Sequence, residues 1–223
     1  MLLVKFKFDK HKDIWNYWSS ANEKSQFLDF SRFINPELLK LIKGKTQKEA
    51  SKIIEKNLSN IHNSPLIEIY LKSVSKAWKS IEKKYFENLV KITKKPICSE
   101  KFTAYITTTV RCPYEKKEIW FMINFFSPIP HALKTIGHEI MHFQFYKYFF
   151  DEIEKEIGKE KTEDLKEALT VLLNLEFRKL WFVEDKGYPK HKKLREFIEK
   201  EWKKEPDFKN LLEKCTEFLK NKI

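Results

Sequence analysis

Glycine, proline and cysteine are all scarce in this chain of 223 residues, which contains four, eight and three of them respectively. Glycine and proline dominate turns, so their scarcity argues against a fold of many short strands and favours long helices. Cys98, Cys112 and Cys215 are far apart, and no two form a Cys-x-x-Cys pair. The cysteines therefore indicate neither a zinc ribbon nor a disulfide framework, and free thiols in a reducing compartment are the simplest interpretation.

Long hydrophobic runs are absent as well. No stretch of the sequence approaches the roughly 20 apolar residues that span a membrane. Residues 1–9 alternate between two faces as a strand does, and they are too few and too charged for the hydrophobic region of a signal peptide. We therefore expect a soluble, cytoplasmic protein that does not associate with membranes.

Arginine is the rarest of the charged residue types, with four among the 44 basic residues, although the formal net charge is +12. A basic balance attracts nucleic acids, but arginine is the usual residue for bidentate recognition of phosphates and bases. The lysines also alternate with acidic residues over residues 152–161 and 192–204, as on solvated helix faces. The composition therefore argues against specific nucleic-acid binding, while loose attraction to acidic partners stays open.

Residues 138–142 are the most informative segment of the chain, because they read His-Glu-Ile-Met-His and match the H-E-x-x-H pattern of zinc-dependent hydrolases. Histidines four residues apart lie on one face of a helix, close enough to bind one tetrahedral metal ion. His138 and His142 are therefore the predicted zinc ligands. Glu139 follows the first ligand, where it could take a proton from the bound water as a general base.

The surrounding sequence predicts an α+β fold that is mostly helical. Residues 102–110 and 119–126 are rich in β-branched and aromatic residues and predict two strands joined by a turn. We expect them to form a small antiparallel sheet next to the helix with the motif, which should begin near Ser127-Pro128. Gly137 within this helix suggests the close approach of another backbone. Residues 1–97 predict a helical N-terminal region, and residues 98–223 a zincin-like metallopeptidase region.

A third zinc ligand must come from later in the chain, because a catalytic zinc usually has three protein ligands and an open position. The glycine and third histidine that metzincins require soon after the motif are missing. Glutamates on a following helix, capped by Thr162, are better candidates. Glu167 ranks first because it lies in a mostly apolar segment, where an unpaired carboxylate is unfavourable; Glu163 and Glu176 follow.

These motifs resemble the gluzincin zinc metallopeptidases over about residues 119–180. The resemblance implies Zn²⁺ as cofactor, a peptide or protein substrate, His138, His142 and Glu167 as ligands, and Glu139 as general base. Gluzincins often carry an aspartate four residues after the ligand glutamate, to support a ligand histidine. Here that position is Val171, so the support must come from elsewhere, and Asn174 is one candidate.

The resemblance also implies a downstream side chain that stabilises the oxyanion. Tyr188 and His191 are the preferred candidates, ahead of Arg195, although a turn tyrosine, a surface histidine and a helix salt bridge would give the same pattern. His131 could reach the rim of the site, but capping its own helix is the simpler interpretation. His62, in polar surroundings near a helix end, is expected on the surface.

Three alternatives compete with a peptidase. The chain could be a non-catalytic helical module whose histidines pack in the core or hold a structural metal. It could be a basic nucleic-acid-binding protein with an incidental motif. A di-iron bundle is disfavoured, because it needs a second Glu-x-x-His on another helix and the sequence has none. The sequence does not predict the oligomeric state, the cleavage preference or the role of the N-terminal region.

Overall fold

The computed structural model describes residues 3–24 and 28–221, and it confirms a mostly helical α+β fold. Four strands and ten α-helices are found among these residues. The strands are β1 (Val4–Phe8), β2 (Phe102–Thr107), β3 (Tyr114–Glu115) and β4 (Trp120–Asn124). The helices are α1 (Lys10–Asn22), α2 (Pro36–Ile42), α3 (Gln47–His62), α4 (Pro65–Thr93), α5 (Ile129–Tyr148), α6 (Phe150–Ile157), α7 (Lys159–Leu169), α8 (Arg178–Trp181), α9 (Lys192–Lys204) and α10 (Phe208–Lys220). No helix in the described part of the chain is both long and apolar enough to cross a membrane.

The strands form one mixed sheet in the order β1-β2-β4-β3. The predicted antiparallel arrangement is wrong for two of the three pairings, since β1–β2 and β2–β4 are parallel and only β3–β4 is antiparallel. The reason is the length of the connection: residues 108–119, about a dozen, allow the chain to return to the starting end of β2 before β4 begins. The short strand β3 lies within this connection.

The chain divides into two compact units, neither of which is one continuous segment. The first consists of Met1–Ala77 and Lys101–Ala132, and the second of Trp78–Glu100 and Leu133–Ile223. The whole sheet belongs to the first unit, and residues 138–142 belong to the second. The division predicted between residues 97 and 98 does not coincide with these units. That the sheet borders the helix with the motif stays a prediction.

Helices α1 to α3 of the first unit share a hydrophobic core in which Ile14, Leu38 and Ile54 are buried. A capping box starts α3: the Glu49 carboxylate accepts a hydrogen bond from the Thr46 backbone N–H, and the Thr46 hydroxyl accepts one from the Glu49 N–H. These two hydrogen bonds satisfy backbone N–H groups that have no partner inside the helix. Burial of the apolar face and capping together account for the position of these helices.

A buried polar group also holds the first unit together; we call Asp13, His62, Thr107 and Thr108 the Asp13 cluster. Asp13 Oδ1 accepts hydrogen bonds from Thr107 Oγ1 at 2.6 Å and from the Thr108 backbone N–H at 2.8 Å. Asp13 Oδ2 lies 2.6 Å from Thr108 Oγ1 and 2.8 Å from His62 Nε2. The prediction that His62 lies on the surface is wrong, because its partner comes from α1, 49 residues earlier in the chain.

The core of the second unit explains Gly137. A Cβ atom at this position would lie 2.7 Å from Cη2 of Trp181 and 3.0 Å from Cε2 of Tyr85. The Tyr85 hydroxyl also donates a hydrogen bond of 2.6 Å to the Gly137 carbonyl. A close approach was predicted correctly, but the approaching groups are aromatic side chains and not another backbone. Glycine lets α5 pack directly against these two rings.

Candidate metal centre

Helix α5 presents His138 and His142 one turn apart, as the motif predicts. Their ring centroids are 4.3 Å apart, with the ring planes at 74° to each other. The two histidines are partly and fully buried respectively, while Ile136 and Ile140 between and beside them are buried in the core. The helix is therefore anchored by its apolar side, and that anchoring fixes the direction of the two imidazoles.

Helix α7 brings Glu167 to the two histidines. Glu167 Oε1 lies 3.2 Å from His142 Nε2, and Glu167 Oε2 lies 3.6 Å from His138 Nε2. One potential ligand atom from each of the three residues lies within 4.8 Å of the other two. We call His138, His142 and Glu167 the HHE cluster. The helix begins at Lys159, so the predicted cap at Thr162 is wrong, but the glutamate still reaches the cluster.

The HHE cluster fits a zinc ion chemically. Two imidazole nitrogens and one carboxylate oxygen are a donor set that catalytic zinc sites use, and such sites keep a further position open. Glu167 and His142 are almost fully buried, so the Glu167 carboxylate depends on nearby positive charge, and a metal ion would add to the charge of Lys166. Nothing in the donor set or the spacing conflicts with a single divalent ion.

Asp185 is the residue of this centre that the sequence did not reveal. Its Oδ2 lies 3.0 Å from His138 Nδ1, which leaves Nε2 of the same ring directed at Glu167. Hydrogen bonding of one imidazole nitrogen to a carboxylate is the usual way in which a metal-binding histidine is oriented. Val171 stands where an acid supporting a ligand histidine was expected, and Asp185 is placed to give this support instead.

Several neighbours in turn hold the side chain of Asp185. Lys134 Nζ lies 3.3 Å from Oδ2, and Arg195 Nη2 lies 3.3 Å from Oδ1. Thr170 Oγ1 is 3.0 Å from Oδ1 and accepts a hydrogen bond from Arg195 Nη1 at 2.7 Å. The Asp185 carboxylate is therefore ionised and fixed from three sides, and it can hold the His138 ring in one orientation.

Asn174 contacts Asp185, and not a ligand histidine as predicted. Its Nδ2 donates to the Asp185 carbonyl at 2.9 Å, and its Oδ1 accepts from the Asp185 backbone N–H at 2.7 Å. Asn174 therefore holds the backbone of the aspartate rather than a histidine ring. It lies in a π-helical segment, Leu173–Phe177, between α7 and α8. Such segments often occur at functional sites, where they redirect side chains.

Glu139 is buried beside the HHE cluster, with 6% of its surface exposed. Its Oε2 is fully buried and has no hydrogen-bond partner among residues 3–24 and 28–221. Burial raises the pKa of Glu139 to about 7, opposed by the charges of His138 and Lys166. A buried carboxylate oxygen without a protein partner can accept a proton from a ligand.

The pKa values of the surrounding groups show how strongly they interact. Burial would lower the pKa of His138, but the carboxylates of Asp185, Glu167 and Glu139 together outweigh this effect and raise it to about 10. Burial lowers the pKa of His142 to about 3. For Glu167 and Asp185, burial would raise the pKa, but the adjacent histidine in each case holds it well below its usual range. Both carboxylates are thus anionic at neutral pH.

The other two glutamates considered as ligands are bound elsewhere. Glu163 accepts hydrogen bonds from the Tyr146 hydroxyl at 2.9 and 2.7 Å. Glu176 Oε1 accepts one from Trp202 Nε1 at 2.7 Å. A buried cation, Lys166, completes this side of the centre, with its Nζ 3.0 Å from Glu167 Oε1. The structure therefore places only the first-ranked glutamate in the HHE cluster.

The predicted oxyanion-stabilising residues have other neighbours. His191 Nε2 lies 3.1 Å from Asp164 Oδ1, and its ring meets that of Tyr188 edge-on at 5.8 Å. His191 is buried rather than on the surface, and burial lowers its pKa. Arg195 is engaged by Asp185 and Thr170, and His131 is exposed. A catalytic role for Tyr188 and His191 stays a prediction.

Comparison with known protein families, with curated proteins and with solved structures finds no match for this chain. The function can therefore be inferred only from the site itself, and in particular from the HHE cluster and Glu139.

Proposed function

We propose that the protein is a zinc-dependent peptidase of the gluzincin type, whose catalytic centre is the HHE cluster with Glu139. The observation that carries the proposal is the convergence of three donor atoms within 4.8 Å beside a buried carboxylate. Metal sites and hydrolytic residues are argued from such geometry more reliably than from fold alone.

His138 and His142 would hold Zn²⁺ through Nε2, and Glu167 through its carboxylate, leaving one position for water or substrate. Bound there, the ion would supply a lowered pKa for water and a positive charge at the scissile carbonyl oxygen. Asp185 would keep Nε2 of His138 directed at the ion by holding Nδ1.

Glu139 would move the proton. Its Oε2 is buried and without a protein partner in the described residues, so it is available to take a proton from the attacking water. The protonated carboxyl would then give this proton to the nitrogen of the departing amine. Its enclosed position excludes bulk water from the transfer, which keeps the proton between substrate and enzyme.

Two parts of the proposal are supported by the sequence alone: a peptide or protein substrate, and a cytoplasmic location. The long charged helices carry lysine–glutamate pairs at helical spacing, such as Lys72–Glu68 and Lys203–Glu199, which is typical of solvated faces. This pairing weakens the case for a nucleic acid as the main partner.

The test compares wild type with Glu139→Gln, and uses Glu184→Gln, an exposed acid of the same unit, as the matched control. Metal content is measured by elemental analysis, and cleavage is followed in an unbiased peptide library by mass spectrometry. We expect about one zinc per chain in all three proteins. Cleavage should be lost only in Glu139→Gln.

Each other outcome selects an alternative. Zinc without cleavage in any protein would indicate a structural metal in a non-catalytic module. No zinc in wild type would remove the metal site altogether. Equal cleavage by wild type and Glu139→Gln would exclude Glu139 from the chemistry.

A further inference from the structure

The side chain of Lys166 is only 1% exposed, although lysine is almost never fully buried unless it is paired. Its Nζ lies 3.0 Å from Glu163 Oε2, 3.0 Å from Glu167 Oε1 and 3.1 Å from the Tyr146 hydroxyl oxygen. An ammonium group has three N–H donors, and three acceptors surround this one. Two carboxylates at this distance favour the charged form of the lysine. Lys166 is therefore a cation fixed in the interior of the second unit.

The Lys166 ammonium lies next to the atoms that would hold zinc. Glu167 Oε1 is 3.0 Å from Lys166 Nζ and 3.2 Å from His142 Nε2, so a single oxygen atom separates the ammonium from a ligand nitrogen. Consecutive residues of a helix do not normally face each other, so helix spacing does not account for this contact between Lys166 and Glu167. The Glu167 carboxylate is thus a partner for two cations, the lysine and the metal ion.

We propose that Lys166 is an internal counter-ion, which neutralises Glu167 when the HHE cluster holds no metal and lowers the affinity of the cluster for zinc. The inference rests on the zinc site of the proposed function. It adds to that function that the protein stays folded without zinc and exchanges the ion reversibly.

The sign of the effect on zinc affinity separates a counter-ion from a residue that only orients Glu167. Without zinc, loss of Lys166 would leave two mostly buried carboxylates, Glu163 and Glu167, without the cation they share, which destabilises the fold. With zinc, the same loss would remove a repelling charge from the surroundings of a divalent ion. A residue that only oriented Glu167 would act in the opposite direction, because loss of such residues weakens metal binding by about 10- to 100-fold.

The experiment replaces Lys166 by methionine, an unbranched apolar residue that can fill the same space. Lys159→Met is the matched control, because Lys159 is exposed at the start of the same helix and its replacement removes the same charge. Thermal unfolding in the presence of a chelator measures the stability of the zinc-free proteins. Competition with a chromogenic chelator measures the Kd for zinc.

We expect zinc-free Lys166→Met to unfold about 5 °C or more below wild type. Zinc should bind this variant at least about tenfold more tightly than wild type. A variant that folds only when zinc is supplied would support the proposal as well, since folding would then depend on the ion. Lys159→Met should match wild type in both measurements. Equal or weaker zinc binding by Lys166→Met would overturn the proposal, and so would an unchanged stability of its zinc-free form.

Glu163→Gln tests the proposal without removing the lysine. This substitution takes away one of the two carboxylates that share the ammonium, so the charge of Lys166 acts more strongly on Glu167 and on the ion. Zinc should therefore bind about threefold or more weakly than in wild type. An unchanged affinity in Glu163→Gln would overturn the proposal even if Lys166→Met does not fold.

Failure of the two proposals can be told apart. If wild type binds zinc and cleaves peptides but Lys166→Met binds zinc no more tightly, only the inference about Lys166 is overturned. If wild type binds zinc and cleaves nothing, the peptidase proposal fails, while tighter zinc binding by Lys166→Met still supports the counter-ion. If wild type takes up no zinc, both proposals fail.

Discussion

Each of the two units contains a buried histidine–aspartate pair, and the two pairs differ in what surrounds them. In the first unit, His62 Nε2 lies 2.8 Å from Asp13 Oδ2. In the second, His138 Nδ1 lies 3.0 Å from Asp185 Oδ2. The two distances are thus nearly the same and both aspartates are buried, although the side chain of His138 is 17% exposed and that of His62 only 2%. Distance therefore does not separate the two pairs.

The difference lies in the remaining atoms. The Asp13 oxygens also accept hydrogen bonds from Thr107 and Thr108. These hydrogen bonds join α1 to the end of β2. The aspartate of the other pair binds the nitrogen of His138 that points away from the HHE cluster, so the second nitrogen faces Glu167. The direction of this second nitrogen, toward Glu167, is what favours a metal site at the second pair.

The largest difference should appear on removing the histidines. His138→Ala should abolish zinc binding, because two ligands do not form a stable site. His62→Ala should keep about one zinc per chain, and should lose about 1–3 kcal/mol of stability, because the buried Asp13 carboxylate loses one of its hydrogen-bond partners. Zinc content after dialysis and chemical denaturation measure both. Zinc loss in His62→Ala would contradict the distinction.

Zinc should stabilise the folded protein by binding at the HHE cluster, and not at the pair of His62 and Asp13. At a free zinc concentration 1,000 times the Kd, we expect about 4 kcal/mol of added stability. A chelator should reverse the effect. Thermal unfolding with and without zinc, in wild type and in Glu167→Ala, measures it. An equal shift in the Glu167 variant would place the bound zinc elsewhere in the chain.

Replacing the two aspartates gives a finer test. Asp185→Asn should weaken zinc binding by about 10- to 100-fold, because the amide holds the His138 ring less firmly. Asp13→Asn should lower stability and leave zinc affinity unchanged. Competition with a chromogenic chelator measures the affinities. Equal affinity in the Asp185 variant and wild type would remove Asp185 from the centre.

A last test concerns the packing of aromatic rings against α5. Gly137→Ala should cost about 1–3 kcal/mol, because the added methyl group must displace the Trp181 or Tyr85 ring. Gly44→Ala has open space around its Cβ but a positive φ of 76°, so it tests backbone strain without a clash. Denaturation of both variants separates packing from strain. An undiminished stability in Gly137→Ala would show that the rings have room to move.

The sequence predicted those parts of the site that depend on local rules. Helical spacing is sufficient to place His138 and His142 on one face. The cost of burying a carboxylate pointed to Glu167, and the structure brings all three together. Asp185 lies in an irregular segment after α8, and no spacing rule connects it to a histidine 47 residues earlier. The carboxylate that orients the site was therefore missed.

The fold shows the same limit. Composition and periodicity predicted the mostly helical α+β class and the strand at the N-terminus, which the structure confirms as β1. The direction of strand pairing depends on the route of the connection rather than on the strands, and it was predicted wrongly. His62 was misplaced for a related reason, because its partner Asp13 is distant in sequence.

The π-helical segment Leu173–Phe177 lies between Glu167 and Asp185, and the contact of Asn174 with Asp185 depends on the number of residues in it. A π turn accommodates one more residue than an α turn, so deleting a single residue here would restore a regular helix. The π turn widens the helix locally and so redirects the side chains within it, Asn174 among them. The Asn174 amide would then no longer meet the Asp185 backbone. Substitutions in this stretch can be compensated by packing, whereas a change of its length would misalign the candidate metal centre.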